Sequence, residues 1–243
     1  MAAEKRPRTC HNRSFLAYCT VFHNRFTISA CMEIAMPIVI IKIVILVFSV
    51  IIHEISHGYA ALALGDKTAQ YAGRLTLNPL KHIDPFGSII LPLLMALVPG
   101  GVVFGWAKPV PYNPYNLKNQ KWGPAIVGVA GPAANLLLAV VFGLLIRFSP
   151  FIFLGVSSQF LSNFITIAAA ISILNLALAI FNLVPISPLD GSKVLFAVLP
   201  YRWRAMEAYL DRYGFLVLLI FIFFFAQLLV PVIHLFFRVL VGG

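Results

Sequence analysis

The chain has 243 residues, 60% of them hydrophobic and only 11% charged, where an average soluble domain carries about 25% charged residues. So little charge excludes an ordinary water-soluble globule and places the chain among membrane proteins. The net charge of +10 does not point to nucleic acid, because the basic residues lie in the N-terminal tail and between apolar runs, where they set orientation and meet anionic headgroups.

Residues 1–35 differ from the rest, with five Lys/Arg, scattered polar residues and all three cysteines, Cys10, Cys19 and Cys31. An odd count without paired spacing gives no disulfide framework. No apolar run with a small-residue cleavage site marks a secretory signal. We read 1–35 as a basic extension that either lies on the membrane surface or is foreign to the native chain, Met32 and Met36 being alternative starts. Four later segments are long enough to cross a bilayer, which takes about 20 apolar residues: 36–64, 124–148, 163–184 and 213–238. Between the first two, Arg74-Leu75-Thr76-Leu77 alternates in polarity and reads as a short strand ending at Asn78-Pro79. The run Phe86–Val98 contains Pro92 and is too short for a full crossing, which suits a re-entrant or interfacial segment. The expected fold is an all-α polytopic membrane protein, a bundle of about four to six transmembrane helices with a short β/re-entrant segment between the first and second core helices.

The first span contains His53-Glu54-Ile55-Ser56-His57. Positions i and i+4 share one helix face, so both imidazoles can reach one metal ion. Glu54, one residue on, can reach a water activated by that metal without binding it. Zinc suits imidazole ligands and brings the pKa of water to about 7. The bland alternative is a buried His–Glu–His group bonded to neighbouring helices. Against it, Glu54 is one of only four glutamates and sits in an apolar helix, where a charge costs about 2.5–3.5 kcal/mol or more.

A catalytic zinc keeps three protein ligands and one open position. The acids after residue 60 are Asp66, Asp84, Asp190, Glu207 and Asp211. Only Asp190 adjoins the end of a long apolar helix, where Pro185 and Pro188 break Asn182-Leu-Val-Pro-Ile-Ser-Pro-Leu-Asp-Gly191, and irregular backbone at that depth belongs beside protein or a cavity. His82 and His234 are rival ligands whose positions suit ordinary interfacial residues better.

HEISH at 53–57, GPAAN at 131–135 and NLVPISPLDG at 182–191 together resemble the site-2 proteases, polytopic intramembrane metalloproteases. GRLTLNPLKHIDPFGS (73–88) and FGWAKPVPYNP (104–114) look like the short bacterial and archaeal members, without a PDZ or CBS domain. The resemblance covers residues 36–240, taken as one intramembrane metalloprotease domain. It implies a zinc site of His53, His57 and Asp190, Glu54 as the base, and cleavage of a substrate's transmembrane helix within the lipid bilayer. Asn182 matches a polar residue near the metal in that family and is expected to stabilise an oxyanion, an effect worth about 3–4 kcal/mol per donor. Asn135, beside Gly131 and Pro132, is expected to be either a second such donor or a packing residue, and Asn175 a packing residue.

The alternative from another class is a membrane metal-ion transporter or channel using the same His/Asp cluster. It has no use for a carboxylate beside rather than on the metal, and the inverted repeats expected of it are not apparent. For His53, His57 and Asp190 to share one ion, the 65–123 stretch must begin and end on one side of the membrane. That side then carries ten Lys/Arg between residues 67 and 212, against Arg147 and Arg238 outside the tail on the other. The positive-inside rule accordingly puts the active site near the cytoplasmic face.

Overall fold

A computed structural model describes residues 25–84, 90, 108–200 and 204–242. The chain divides into two compact units, Met1–Ile43 and Val44–Gly243. In the first, the described backbone is helical from Arg25. Every site feature below lies in the second. Residues 1–24, most of the expected extension, and the Phe86–Val98 run apart from Ile90 fall outside the described residues.

The described residues hold helices, 3-10 turns and irregular chain, with no strand among them. Helix α1 (Arg25–Ala63) is followed by the short α2 (Thr68–Tyr71), and then by α3 (Gly123–Ile152), α4 (Ser158–Asn182), α5 (Asp190–Val198), α6 (Arg204–Phe224) and α7 (Leu229–Val241). Three stretches are long and apolar enough to cross a bilayer: Val39–Ala63, Gly123–Ile152 and Ser158–Asn182, with mean hydropathies of 2.4, 2.2 and 2.4. Such helices pair most of their backbone groups within the segment, as a hydrocarbon solvent demands, with Pro132 and Pro150 of α3 as local exceptions.

Lipid tails are as apolar as leucine, so such helices associate through close packing and interhelical hydrogen bonds rather than through hydrophobic burial. The buried stripe of α3 shows this. Gly128, Gly131, Asn135, Ala139 and Gly143 recur at helical spacing and are all buried, while Leu136 and Leu137 point outward. Small side chains let neighbouring helices approach. A Cβ at Gly143 would stand 2.8 Å from Leu240 Cβ on α7. Polar side chains then tie the helices together: Ser172 Oγ donates to the Ala139 carbonyl at 2.9 Å, and Asn175 Nδ2 donates to Ser49 Oγ at 2.9 Å. Asn175, fully buried, is thus a packing residue, as expected.

Two local readings differ from expectation. Arg74–Leu77 is irregular rather than a strand. Arg74 turns its guanidinium inward onto the carbonyls of Lys81, Lys108 and Pro109, and His82 Nε2 donates to the Thr76 carbonyl at 2.8 Å. Side chains thus hold a path that a ladder would otherwise hold. The expected span 213–238 is broken, α6 and the chain from Ala226 meeting at a 60° bend. The break falls at Phe225, and Pro231 sits in the first turn of α7, where its missing N–H costs no intrahelical bond.

The bent pair still runs from one end of the bundle to the other. Near its start, Gly214 packs on the Ser187 carbonyl and Asp211 accepts from Ser187 Oγ at 2.9 Å. At its finish, a Cβ on Gly242 would lie 3.3 Å from Arg147 Cζ, at the far end of α3. The two parts therefore act as one broken crossing. Between α1 and α3 the chain returns to its point of departure, because Lys118 N donates to the Leu64 carbonyl at 2.9 Å.

Candidate metal centre

Four elements converge just before the end of α1. His53 and His57 share one face of that helix, one turn apart, with ring centroids 4.6 Å apart and planes at 87°. Asp190 arrives from the opposite part of the sequence as the first residue of α5, after the proline-broken loop from Leu183 to Leu189. Gly191 fits that loop because its Cα rests on the Leu183 carbonyl, where any Cβ would collide. Gly131 plays the matching part on α3: a Cβ there would stand 2.5 Å from His57 Nε2 and 2.7 Å from His53 Cε1. The close helix packing read from Gly131-Pro132 therefore has a specific use, which is to let both imidazoles lie against α3.

Asp190 Oδ2 lies 3.0 Å from His53 Nε2 and 3.1 Å from His57 Nε2. One donor atom from each of the three residues falls within 4.8 Å of the others, and all three residues are buried. The outer ring nitrogens are also held. His53 Nδ1 lies 3.2 Å from Asn135 Oδ1, and His57 Nδ1 lies 2.6 Å from the Val127 carbonyl. Both partners accept, so in the neutral imidazoles that bind a metal each Nδ1 carries the proton and each Nε2 presents a lone pair. Two lone pairs and a carboxylate oxygen facing one another repel unless a cation joins them. This donor set, with its acceptors behind the imidazoles, fits zinc.

Glu54 stands beside the cluster, half-buried, and its Oε2 accepts from Val110 N at 2.8 Å. Lys193 Nζ donates to Asp190 Oδ1 at 2.8 Å, leaving Oδ2 for the imidazoles. It also lies 5.5 Å from the centre of the Tyr112 ring. A cavity of about 190 Å³ opens here, and both candidate ligand histidines, Glu54, Asn182, Asp190 and Lys193 are among its lining residues.

The remaining expected residues fall as follows. Asn182 reaches the cavity, with its Nδ2 bonded to the Leu178 carbonyl of its own helix at 2.9 Å. Asn135 is fully buried and stands behind His53 rather than in the cavity, its Nδ2 without a hydrogen-bond partner among the described residues. His82 is buried in the loop beyond α2 and bonded to Thr76, while His234 is exposed on α7. The sequence reading missed Lys193, Tyr112 and the two backbone groups of Val110 and Val127. Of these only Lys193 carried a signal, being a basic residue one helical turn after Asp190.

The profile of Peptidase family M50 matches residues 41–225. The Bacillus subtilis protein named "Putative zinc metalloprotease YwhC" is 39% identical over 188 residues, 76% of this chain and 80% of its own length. "Putative zinc metalloprotease Rip2" of Mycolicibacterium smegmatis is 32% identical over 176 residues, covering 71% of this chain and 62% of its own. "Zinc metalloprotease MJ0392" of Methanocaldococcus jannaschii is 26% identical over 168 residues, 68% of this chain and 36% of its own. No solved structure matches the chain.

Proposed function

Since this chain belongs to peptidase family M50 and is a zinc metallo-endopeptidase, we propose that it cuts peptide bonds within or near transmembrane segments of membrane-protein substrates. In this reading His53, His57 and Asp190 hold the zinc and Glu54 is the base. The observation that carries it is the convergence of three buried donor atoms within 4.8 Å, with a carboxylate one residue from the first of them and outside the set.

Zinc in such a site supplies Lewis acidity, which polarises the scissile carbonyl and lowers the pKa of water to about 7. The protein's part is orientation and proton transfer. Asn135 and the Val127 carbonyl fix the tautomer and the angle of the two imidazoles. Lys193 restrains one oxygen of Asp190, so the other serves as the ligand. Glu54 takes a proton from the attacking water and delivers it to the departing amine nitrogen. Asn182 and Lys193 line the cavity as candidate partners for the carbonyl oxygen as it gains negative charge. An ion in transit would need no such carboxylate held apart from the binding set, which disfavours the transport reading.

The test is purification of wild type and Glu54→Gln, zinc analysis of both, and cleavage of a panel of transmembrane peptides. Glu54→Gln should keep about one zinc per chain and lose nearly all cleavage. Wild-type rates in that variant would remove Glu54 as the base.

A further inference from the structure

Glu54 does not hold its orientation alone. Its Oε2 accepts from the backbone N–H of Val110, and Val110 belongs to an extended strap, Lys108-Pro-Val-Pro-Tyr112, that runs past the cavity. Prolines at 109 and 111 have no N–H and a fixed φ, so the strap is stiff and has few donors to offer. The Val110 N–H is directed at the carboxylate, and the Val110 side chain is buried close to Gly58, where a Cβ would meet its Cγ1 at 3.0 Å.

The strap is secured from its other side by the 74–82 loop, and the side chain that does so is Arg74. Arg74 is buried, at 7% exposure. Its Nη2 donates to the Lys108 carbonyl at 2.7 Å and to the Pro109 carbonyl at 3.2 Å, while its Nη1 donates to the Lys81 carbonyl. The strap is also joined to the same loop by Lys108 N, which donates to the His82 carbonyl at 2.9 Å. A buried guanidinium whose terminal nitrogens all serve backbone carbonyls of two loops is a clamp. Its planar fork can satisfy three acceptors in fixed directions, which an ammonium cannot.

We propose that Arg74 is a positioning residue for the catalytic carboxylate, acting through the 108–112 strap to hold the Val110 N–H against Glu54. The inference rests on Glu54 being the base. Arg74 touches neither zinc ligands nor cavity, so its effect falls on the rate of the chemical step. A carboxylate displaced by about 1 Å can lower turnover roughly 100-fold.

The experiment compares wild type, Arg74→Lys, Val110→Pro (which deletes the N–H), the double variant and Glu54→Gln, all full-length and in the same detergent, on one transmembrane peptide. Arg74→Lys should lose about 100-fold in kcat with KM and zinc content unchanged, and the double variant should be no worse than the poorer single one. Wild-type kcat in Arg74→Lys, or losses that multiply in the double variant, would overturn the proposal. So would a fall in zinc content parallel to the loss of activity, since that marks a merely structural role. Glu54→Gln separates the two readings: if it cleaves normally the base assignment fails, and if it is dead while Arg74→Lys is normal only the clamp fails. Hydrogen exchange keeps the idea testable should a strap variant misfold. In Glu54→Ala the Val110 amide should lose protection while Lys108 N–H, bonded to His82, retains it; unchanged protection at Val110 would refute the link.

Discussion

At the residue scale the candidate site is held mainly by groups standing behind the proposed ligands. Asn135 directs its amide oxygen at His53 Nδ1, so Asn135→Ala should leave that N–H without an acceptor in a buried position. Zinc affinity is expected to fall about 10- to 100-fold, measured by competition with a chromogenic chelator. Gly131 permits the contact of both imidazoles with α3, and Gly131→Ala, with a methyl 2.5 Å from His57 Nε2, should lose zinc and cleavage together. Gly155→Ala is the control, since nothing among the described residues lies within 4 Å of its Cβ position, and zinc content should not change there although its φ of +80° carries some strain. His53, Glu54 and His57 were readable because helical spacing is a local rule, and Asp190 because an acid at the end of an apolar helix stands out. The Val127 carbonyl and the Val110 N–H were not, because every residue has such groups and only the fold selects one.

At the scale of elements, the turn that ends α1 is organised by Asp66. Fully buried, it accepts from Thr68 N and Oγ1, from Asn113 N at 2.7 Å and from Asn116 Nδ2 at 2.9 Å. Asp66→Asn places an amide donor in a ring of donors, a mismatch expected to cost about 1–3 kcal/mol and to lower the thermal midpoint in detergent. Burial raises the Asp66 pKa, yet hydrogen bonds from the Thr68 hydroxyl, Asn116 and the Asn113 and Thr68 amides outweigh it and leave it lowered. A lowered folded pKa means stability that is present above the unfolded value, near 4, and is lost as pH falls through the folded value. Below about pH 4 the wild-type midpoint should therefore drop more steeply than that of Asp66→Asn, as read by thermal scans at stepped pH. The element boundaries show what sequence pattern misses. Arg74 opened an alternating run, but its donors were needed by loop carbonyls over thirty residues away. Pro231 was visible in the last span, yet the break falls at Phe225, six residues before it, and only the fold shows where the second helix restarts.

For the whole molecule, the direction of each crossing follows from two contacts. The Lys118–Leu64 bond closes the 65–118 excursion on the side where α1 ends, as the shared ion required from sequence. Gly242 beside Arg147 then carries the broken last crossing to the opposite side. The loop-charge expectation, which puts the side of the candidate site in the cytoplasm, can be tested by labelling. Single cysteines at Tyr71, Tyr115 and Val198, all exposed, should label from the cytoplasm, and one at Leu154 from the other side. Opposite labelling of Tyr71 and Tyr115 would contradict the closed excursion. The span of sequence between His53 and Asp190, 137 residues, also bears on how the protein is made. At about 5–20 residues per second, the ribosome needs roughly 7–27 s to go from the first histidine to the aspartate. If Asp190 is the third ligand, as proposed, the nascent chain in that interval lacks an assembled metal set and has no hydrolytic power over its neighbours in the translocon. With the last proposed ligand on α5, after three long apolar helices, competence to cut would be a property of the nearly finished protein.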